Sequence, residues 1–171
     1  MSAILWGSSD SEPGTFERRI HDAFVPWVIK RIPHMVNAGV RSFGPCIVFV
    51  VASSPEPSAR IRAAVVFHNH LPAYRMIEVS MASDTPYWAK PETIRVLLTY
   101  VFETIRCERL QATVPKRGAG PKHTRKFLEK LGFVYEGVGR RGFGNDDAVM
   151  FSMLREDAAR WLAPPTAKMV A

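Results

Sequence analysis

The residues best suited to chemistry lie in the stretch Arg109 to Tyr135, which reads RLQATVPKRGAGPKHTRKFLEKLGFVY. Alternating apolar residues predict a strand up to Val114, and the glycines after Pro115 predict a turn. Apolar residues at helical spacing then predict a helix that ends at Gly132. Five basic residues surround the start of this helix, where free backbone N–H groups already attract anions: Lys116, Arg117, Lys122, Arg125 and Lys126. The pattern favours a phosphate-bearing ligand, and a solvated basic helix face is the alternative.

Polar residues on two earlier strands form a second candidate group. Glu78 and Ser80 share one face of a predicted strand from Tyr74 to Ala82, because side chains alternate along a strand. His68 and His70 are predicted to share a face of the preceding strand, a spacing that could hold zinc. No third ligand is evident, so we predict no metal site and expect both histidines near a substrate.

Composition and charge narrow the class of protein. The 171 residues carry a formal net charge of +7 and are 47 % hydrophobic, as expected for one globular domain with an anionic partner. Two cysteines do not make a disulfide framework and fit a cytoplasmic protein. The N-terminus has neither the basic start nor the apolar run of a signal peptide, and the longest apolar run, Cys46 to Ala52, is too short to span a membrane.

The remaining elements are predicted from periodicity and from proline and glycine positions. Residues 1–13 show no clear pattern and are expected to be loose. A helix capped by Thr15, which Pro26 either kinks or ends, and a second helical piece up to Pro33 come before the sheet. The further predicted elements are strands Ile47–Ala52, Arg62–His70, Tyr74–Ala82 and Ala148–Leu154, a helix from Pro91 to Ile105, a strand that starts at Phe133 and a terminal helix Arg155–Leu162.

The segment FLEKLGFVYEG resembles the end of the acetyl-CoA site in GNAT N-acetyltransferases, and most resembles the branch that acetylates protein N-termini and related amines. Pro121 stands where that branch has an asparagine. The resemblance covers roughly Arg62 to Leu154. The matching positions are Thr124, Arg125, Leu128, Glu129, Lys130, Leu131, Gly132, Phe133, Glu136 and Gly137.

The resemblance implies an α/β GNAT (acyl-CoA N-acyltransferase) fold over residues 1–171, with a mixed, mostly antiparallel twisted sheet and helices on both faces. Two central strands should splay apart, so that acetyl-CoA, the co-substrate, lies between them with its pyrophosphate at the start of the Pro91 helix. The residues implied in acetyl-CoA binding are Val79, Met81, Ala82, Trp88, Lys90, Glu92, Thr93, Lys116, Lys122, Thr124, Arg125 and Phe127.

The same resemblance implies transfer of an acetyl group to a primary amine by direct attack in a ternary complex. A lysine-type amine has a pKa of about 10.4, so it must lose a proton. Glu78 is the expected base and Ser80 a second catalytic candidate, while Leu128 stands where many members have a tyrosine that protonates the leaving thiolate. A small molecule or a protein N-terminus is the expected acceptor, and a homodimer is compatible with the resemblance.

Two alternatives use the same residues differently. A basic nucleic-acid-binding module is compatible with the charge, but aromatic residues are not interleaved with the basic cluster, so nucleic acid is not favoured. A non-catalytic domain that binds acetyl-CoA is the other alternative, because Trp88 to Thr93 lack the glycines typical of the family's phosphate loop.

Overall fold

The computed structural model describes residues 3–56 and 58–163 and contains a seven-stranded sheet in the order β1-β2-β3-β4-β5-β7-β6. The β4–β5 pair is parallel and every other neighbouring pair is antiparallel. The strands are β1 (Ala3–Ser8), β2 (Cys46–Ala52), β3 (Ile61–Leu71), β4 (Met76–Ser83), β5 (Arg109–Pro115), β6 (Val134–Phe143) and β7 (Asp146–Leu154). The helices are α1 (Phe16–Ile29), α2 (Pro33–Asn37), α3 (Pro91–Thr99, continued by a π-helix over Tyr100–Thr104), α4 (Ala119–Leu131) and α5 (Ala159–Leu162).

Two apolar cores lie on opposite faces of this sheet. Strand alternation sends Val48 and Val66 to the face covered by α1, and sends Phe49 and Phe67 to the face covered by α3 and α4. These four side chains are at least nine-tenths buried. The predicted mixed sheet with helices on both faces is therefore confirmed. No helix among the described residues is long and apolar enough to cross a membrane.

The prediction that residues 1–13 are loose is wrong for Ala3–Ser8, which pair antiparallel with β2 as an edge strand. Gly7 of this strand lies directly against α1. A Cβ at this position would stand 2.3 Å from the carbonyl oxygen of Glu17 and 2.4 Å from the backbone nitrogen of His21. This strand is stabilised by its pairing with β2 and by its contact with α1. Neither interaction produces a periodic pattern in the local sequence, so the sequence did not predict the strand.

Two predicted boundaries also move. The strand expected from Tyr74 starts at Met76, because Pro72–Tyr74 form a 3₁₀ turn that ends at Arg75 with φ of 50°. The terminal helix expected from Arg155 starts at Ala159, since the Asp157 carboxylate accepts a hydrogen bond from the Leu154 amide in a preceding turn. Pro164 and Pro165, expected to end that helix, lie outside the described residues.

The two central strands separate after a short paired stretch. The β4–β5 ladder joins Met76 to Arg109, Ile77 to Leu110 and Glu78 to Gln111, and it ends there. Beyond this point β4 stays paired with β3 as far as Ser83, and β5 stays paired with β7 as far as Pro115. The sheet therefore opens between β4 and β5, as the sequence resemblance predicts.

Candidate active site

A cleft of about 730 Å³ occupies the opening between β4 and β5. Its floor is made by the separating strands, one end by the α1–α2 connection, and the other by the first turns of α4. The lining residues are Arg31 to His34, Val79 to Pro86, Trp88, Ala112 to Pro115, Gly120, Pro121, His123, Thr124, Phe127 and Leu128.

The β4 side of the cleft is a strand edge without a strand partner. After Glu78, backbone groups of β4 that face β5 have no ladder to join. Unpaired strand edges readily accept an extended ligand, because its amides complete the missing hydrogen bonds. Val79, Met81 and Ala82, which the resemblance implies in cofactor binding, all lie in this wall.

The start of α4 forms the opposite end of the cleft. Gly118 precedes the helix with φ of 95°, and no acidic residue lies in the first turn. The predicted residues Thr124 and Phe127 line the cleft, and the Phe127 ring lies 5.7 Å from the ring of Trp88, another predicted residue. A helix start of this kind, with free amides and no carboxylate, suits an anionic group.

The predicted basic residues differ in how they are held. The Lys116 ammonium lies 3.0 Å from Asp147, and Arg125 donates two hydrogen bonds of 2.8 Å to the carbonyls of Pro115 and Lys116. Both therefore brace the turn between β5 and α4. Lys122 is exposed in the first turns of α4. None of these three side chains belongs to the described lining of the cleft.

The start of α3 lies outside the cleft lining. Lys90 precedes the helix without a side-chain cap, Glu92 is exposed in the first turn, and Thr93 is only 3 % exposed. The connection before α3 lines the cleft instead, through Thr85 and Pro86. Of the predicted residues in this region, Trp88 therefore lines the cleft, whereas Lys90, Glu92 and Thr93 do not.

Glu78 does not line the cleft but connects to it through His68. The Glu78 carboxylate accepts a hydrogen bond of 3.1 Å from Asn69 and lies 4.0 Å from His68 Nδ1. His68 Nε2 lies 2.9 Å from Ser80 Oγ, and Ser80 lines the cleft. Burial lowers the pKa of His68, and the nearby Glu78 carboxylate and Asn69 oppose part of this effect. Of the two predicted catalytic residues, Ser80 thus reaches the cleft directly.

The prediction that His68 and His70 share a strand face is wrong. Asn69 between them has φ of 49°, and the β3–β4 register shifts after His68, so regular alternation stops there. His68 is consequently buried and His70 exposed.

Residues from the α1–α2 connection close the other end of the cleft, and the sequence analysis named none of them as site residues. Arg31 forms a two-pronged ion pair with Asp84 at 2.9 and 3.2 Å, which ties this connection to the end of β4. The His34 ring lies 4.4 Å from the ring of Phe143 at the end of β6, and burial lowers the pKa of His34. His123 of α4 also lines the cleft unpredicted. These contacts join residues far apart in sequence, so no local pattern signals them.

A polar cluster lies on β5, β6 and β7 beside the base of the cleft. Glu136 pairs with Arg109 through both carboxylate oxygens and accepts a 2.7 Å hydrogen bond from Ser152, which is 3 % exposed. Arg109 also donates to the side chain of Gln111, the strand partner of Glu78. The hydrogen bonds from Arg109 and Ser152 lower the pKa of Glu136 to about 2.

Comparison with solved structures identifies the fold. A protein from T. thermophilus, provisionally named an acetyltransferase, is similar with a TM-score of 0.60 and 21 % identity over 93 % of this chain and 89 % of that one. A mutant form of the spermidine/spermine N-acetyltransferase SpeG from Vibrio cholerae gives a TM-score of 0.60 at 14 % identity, covering 92 % of this chain and 98 % of that one. Another protein provisionally named an acetyltransferase gives a TM-score of 0.59 at 23 % identity, covering 82 % and 84 %.

The sequence itself gives no such match. No protein-family model matches the chain. No curated protein matches it in sequence. The structural similarity, together with the strand order and the opening between β4 and β5, defines the GNAT fold. At these identities the similarity establishes the architecture, and activity must be argued from the site.

Proposed function

We propose that this protein is an acetyl-CoA-dependent N-acetyltransferase that transfers an acetyl group to a primary amine by direct attack in a ternary complex. The observation that carries the proposal is the unpaired edge of β4 beyond Glu78, which opens onto a cleft of about 730 Å³. The pantetheine arm of acetyl-CoA contains two amides, so it pairs naturally with such an edge. The structural similarity to acetyltransferases supports the same assignment.

The walls of the cleft fit the different parts of acetyl-CoA. Val79, Met81 and Phe127 offer apolar contacts to the arm. The first turns of α4, with free amides and the exposed cation Lys122, favour the phosphates. A β4 amide that lacks a strand partner would donate a hydrogen bond to the thioester oxygen and stabilise negative charge as it develops there.

The acceptor amine would enter from the end formed by Arg31 and His34. Asp84 is the one carboxylate among the described residues of the cleft lining, and its ion pair with Arg31 already neutralises it. A polyamine would require unpaired carboxylates along its path, so this wall favours an acceptor with a single amino group. Protein N-termini and small monoamines both meet that requirement.

Charge pairing favours this assignment over nucleic-acid binding. Lys116 pairs with Asp147, and Arg117 lies within 3.8 Å of Asp146. Both cations are thereby partly neutralised, which weakens their attraction for a phosphate backbone.

Cys46 and Cys107 are both buried free thiols, which supports a cytoplasmic location.

The proposal is tested by measuring acetyl-CoA binding and transfer separately. Calorimetry should detect acetyl-CoA, and saturating ligand should raise the Tm because it binds the native state. Release of CoA should then depend on an added amine from a panel of amino acids, short peptides with free N-termini, monoamines and polyamines. Binding without transfer to any amine would support the non-catalytic alternative, and no binding to folded protein would contradict both.

A further inference from the structure

A polar connection leads from the cleft, through the buried His68, to the partly exposed carboxylate of Glu78 on the α1 face of the sheet. Ser80 lines the cleft, His68 lies behind it with Nε2 at 2.9 Å from Ser80 Oγ, and Glu78 lies behind Nδ1 at 4.0 Å. His68 is only 9 % exposed and its ring stacks at 4.7 Å on Phe43. The ring is thus fixed between one group that reaches the cleft and one carboxylate that does not.

The proton positions follow from what each neighbour can donate or accept. The Asn69 side chain forms a hydrogen bond with the imidazole that raises its pKa, and the ionised Glu78 carboxylate, which can only accept, faces Nδ1. We therefore assign the proton of the neutral imidazole to Nδ1. Nε2 is then an acceptor, and the Ser80 hydroxyl donates to it. The lone pairs of Ser80 Oγ remain available on the cleft side. The distance of 4.0 Å exceeds a hydrogen bond, so Glu78 acts on the imidazole mainly through its charge.

We infer that His68 is a positioning residue that makes Ser80 the proton acceptor for the attacking amine, with Glu78 stabilising the imidazolium that forms. This inference rests on the proposed function. It gives Glu78 an indirect role, because its carboxylate does not line the cleft. The arrangement follows the same chemical logic as a serine, histidine and carboxylate set in which the carboxylate orients and stabilises the histidine.

The step balances without any added reactant. The ammonium form of the amine first gives one proton to Ser80 Oγ, while the Ser80 hydroxyl proton passes to His68 Nε2. The neutral nitrogen then bonds to the thioester carbon, and collapse of the tetrahedral intermediate breaks the carbon–sulfur bond. The second nitrogen proton goes to the CoA thiolate and His68 releases its proton to solvent, so the protein ends in its starting state.

Among the described residues, Glu78 is the charged group that acts on the pKa of His68. On β2 its neighbour is Cys46, where burial and the charge of Asp10 raise the thiol pKa to about 11, so this group is neutral. From α1, His21 contacts the Cys46 sulfur at 3.5 Å. Burial lowers the pKa of His68, which keeps the imidazole neutral and able to accept a proton at pH 7.

The test compares His68→Gln with His70→Gln, a matched change at an exposed histidine two residues along the same strand. His68→Gln should lower kcat by about 10²-fold at pH 7 and leave the Kd of acetyl-CoA unchanged, because a general base contributes on that scale. The deficit should shrink at high pH, where the amine is already deprotonated. NMR titration of the wild type and of Glu78→Gln should show a lower imidazole pKa for His68 in the variant, since the carboxylate no longer favours the charged form.

Ser80→Ala removes only one oxygen atom, so it can test the inference if His68→Gln does not fold. The Ser80→Ala variant should show the same pH-dependent loss of kcat as His68→Gln. Wild-type rates in Ser80→Ala, or equal rates in folded His68→Gln and His70→Gln at every pH, would overturn the inference while leaving the proposed function intact. A wild-type protein that transfers to no amine would overturn the proposed function and this inference together.

Discussion

The ion pair between Glu136 and Arg109 should contribute measurably to stability, and its contribution should vary with pH. Arg109 and Ser152 hold the Glu136 pKa at about 2, against an ordinary value of 4.5. Without solvent screening, this pKa difference would correspond to about 3 kcal/mol in the free energy of unfolding. The Glu136 side chain is 33 % exposed, so solvent screening reduces the expected effect to about 1–2 kcal/mol.

The sign of the pH dependence follows from the direction of the pKa change. The folded state holds the carboxylate ionised more strongly than the unfolded state does, so the stabilisation is fully present above pH 4.5. It is lost as pH falls from 4.5 towards 2. Glu136→Gln should therefore lower the free energy of unfolding at pH 7, and the difference from wild type should shrink as the pH falls.

Urea denaturation at pH 7, 5, 4 and 3 measures this effect. Glu108→Gln is the matched control, because Glu108 pairs with Arg75 at 2.6 Å where both side chains are more than two-fifths exposed. Such surface pairs contribute between zero and about 1 kcal/mol. Equal losses in the two variants at pH 7, or a Glu136→Gln deficit that stays constant down to pH 3, would refute the reasoning.

Three further predictions test other parts of the molecule. Glu78→Gln should keep the fold and the Kd of acetyl-CoA but lower kcat at pH 7 by less than the loss of about 10²-fold expected for His68→Gln, because Glu78 acts only through its charge beside the imidazole, with a smaller loss at high pH; unchanged turnover on a wild-type acceptor would make Glu78 structural. Gly7→Ala should lower the Tm strongly, because the new Cβ would stand 2.3 Å from the Glu17 carbonyl oxygen. In the control variant Gly139→Ala the new Cβ meets nothing closer than 3.8 Å, so the Tm should change little. Equal Tm values for the two variants would argue against the packing of β1 on α1. Lys122→Ala should weaken CoA more than dephospho-CoA in calorimetry if this exposed cation meets the 3′-phosphate, and equal weakening would exclude that role.

The elements with strong local periodicity were predictable from the sequence. The apolar spacing of α3 and α4 and the alternation along β5 depend only on residues within each element. β1 was missed, because only its pairing with β2 and its contact with α1 define it. Elements formed by distant partners leave little trace in a short window of sequence.

The candidate site was predictable in outline but not in its connections. The opening between β4 and β5 was expected only through the family resemblance, since spacing alone does not reveal where a parallel pair stops. Strand alternation put Glu78 and Ser80 on one face, but the buried His68 between them comes from the neighbouring strand. The pairing of Lys116 with Asp147 was likewise hidden, because the two residues meet only when β5 and β7 pair.

The most direct test of the central claim is amide hydrogen exchange along β4 with and without acetyl-CoA. In the free protein, cleft-side amides of residues 79–83 have no strand partner, whereas Met76–Glu78 are paired with β5. Saturating acetyl-CoA should slow exchange over residues 79–83 and change it little over Met76–Glu78 and over β1, because the bound arm completes the missing hydrogen bonds. Acetyl-CoA that binds without slowing exchange at residues 79–83, or that does not bind the folded protein, would contradict the account.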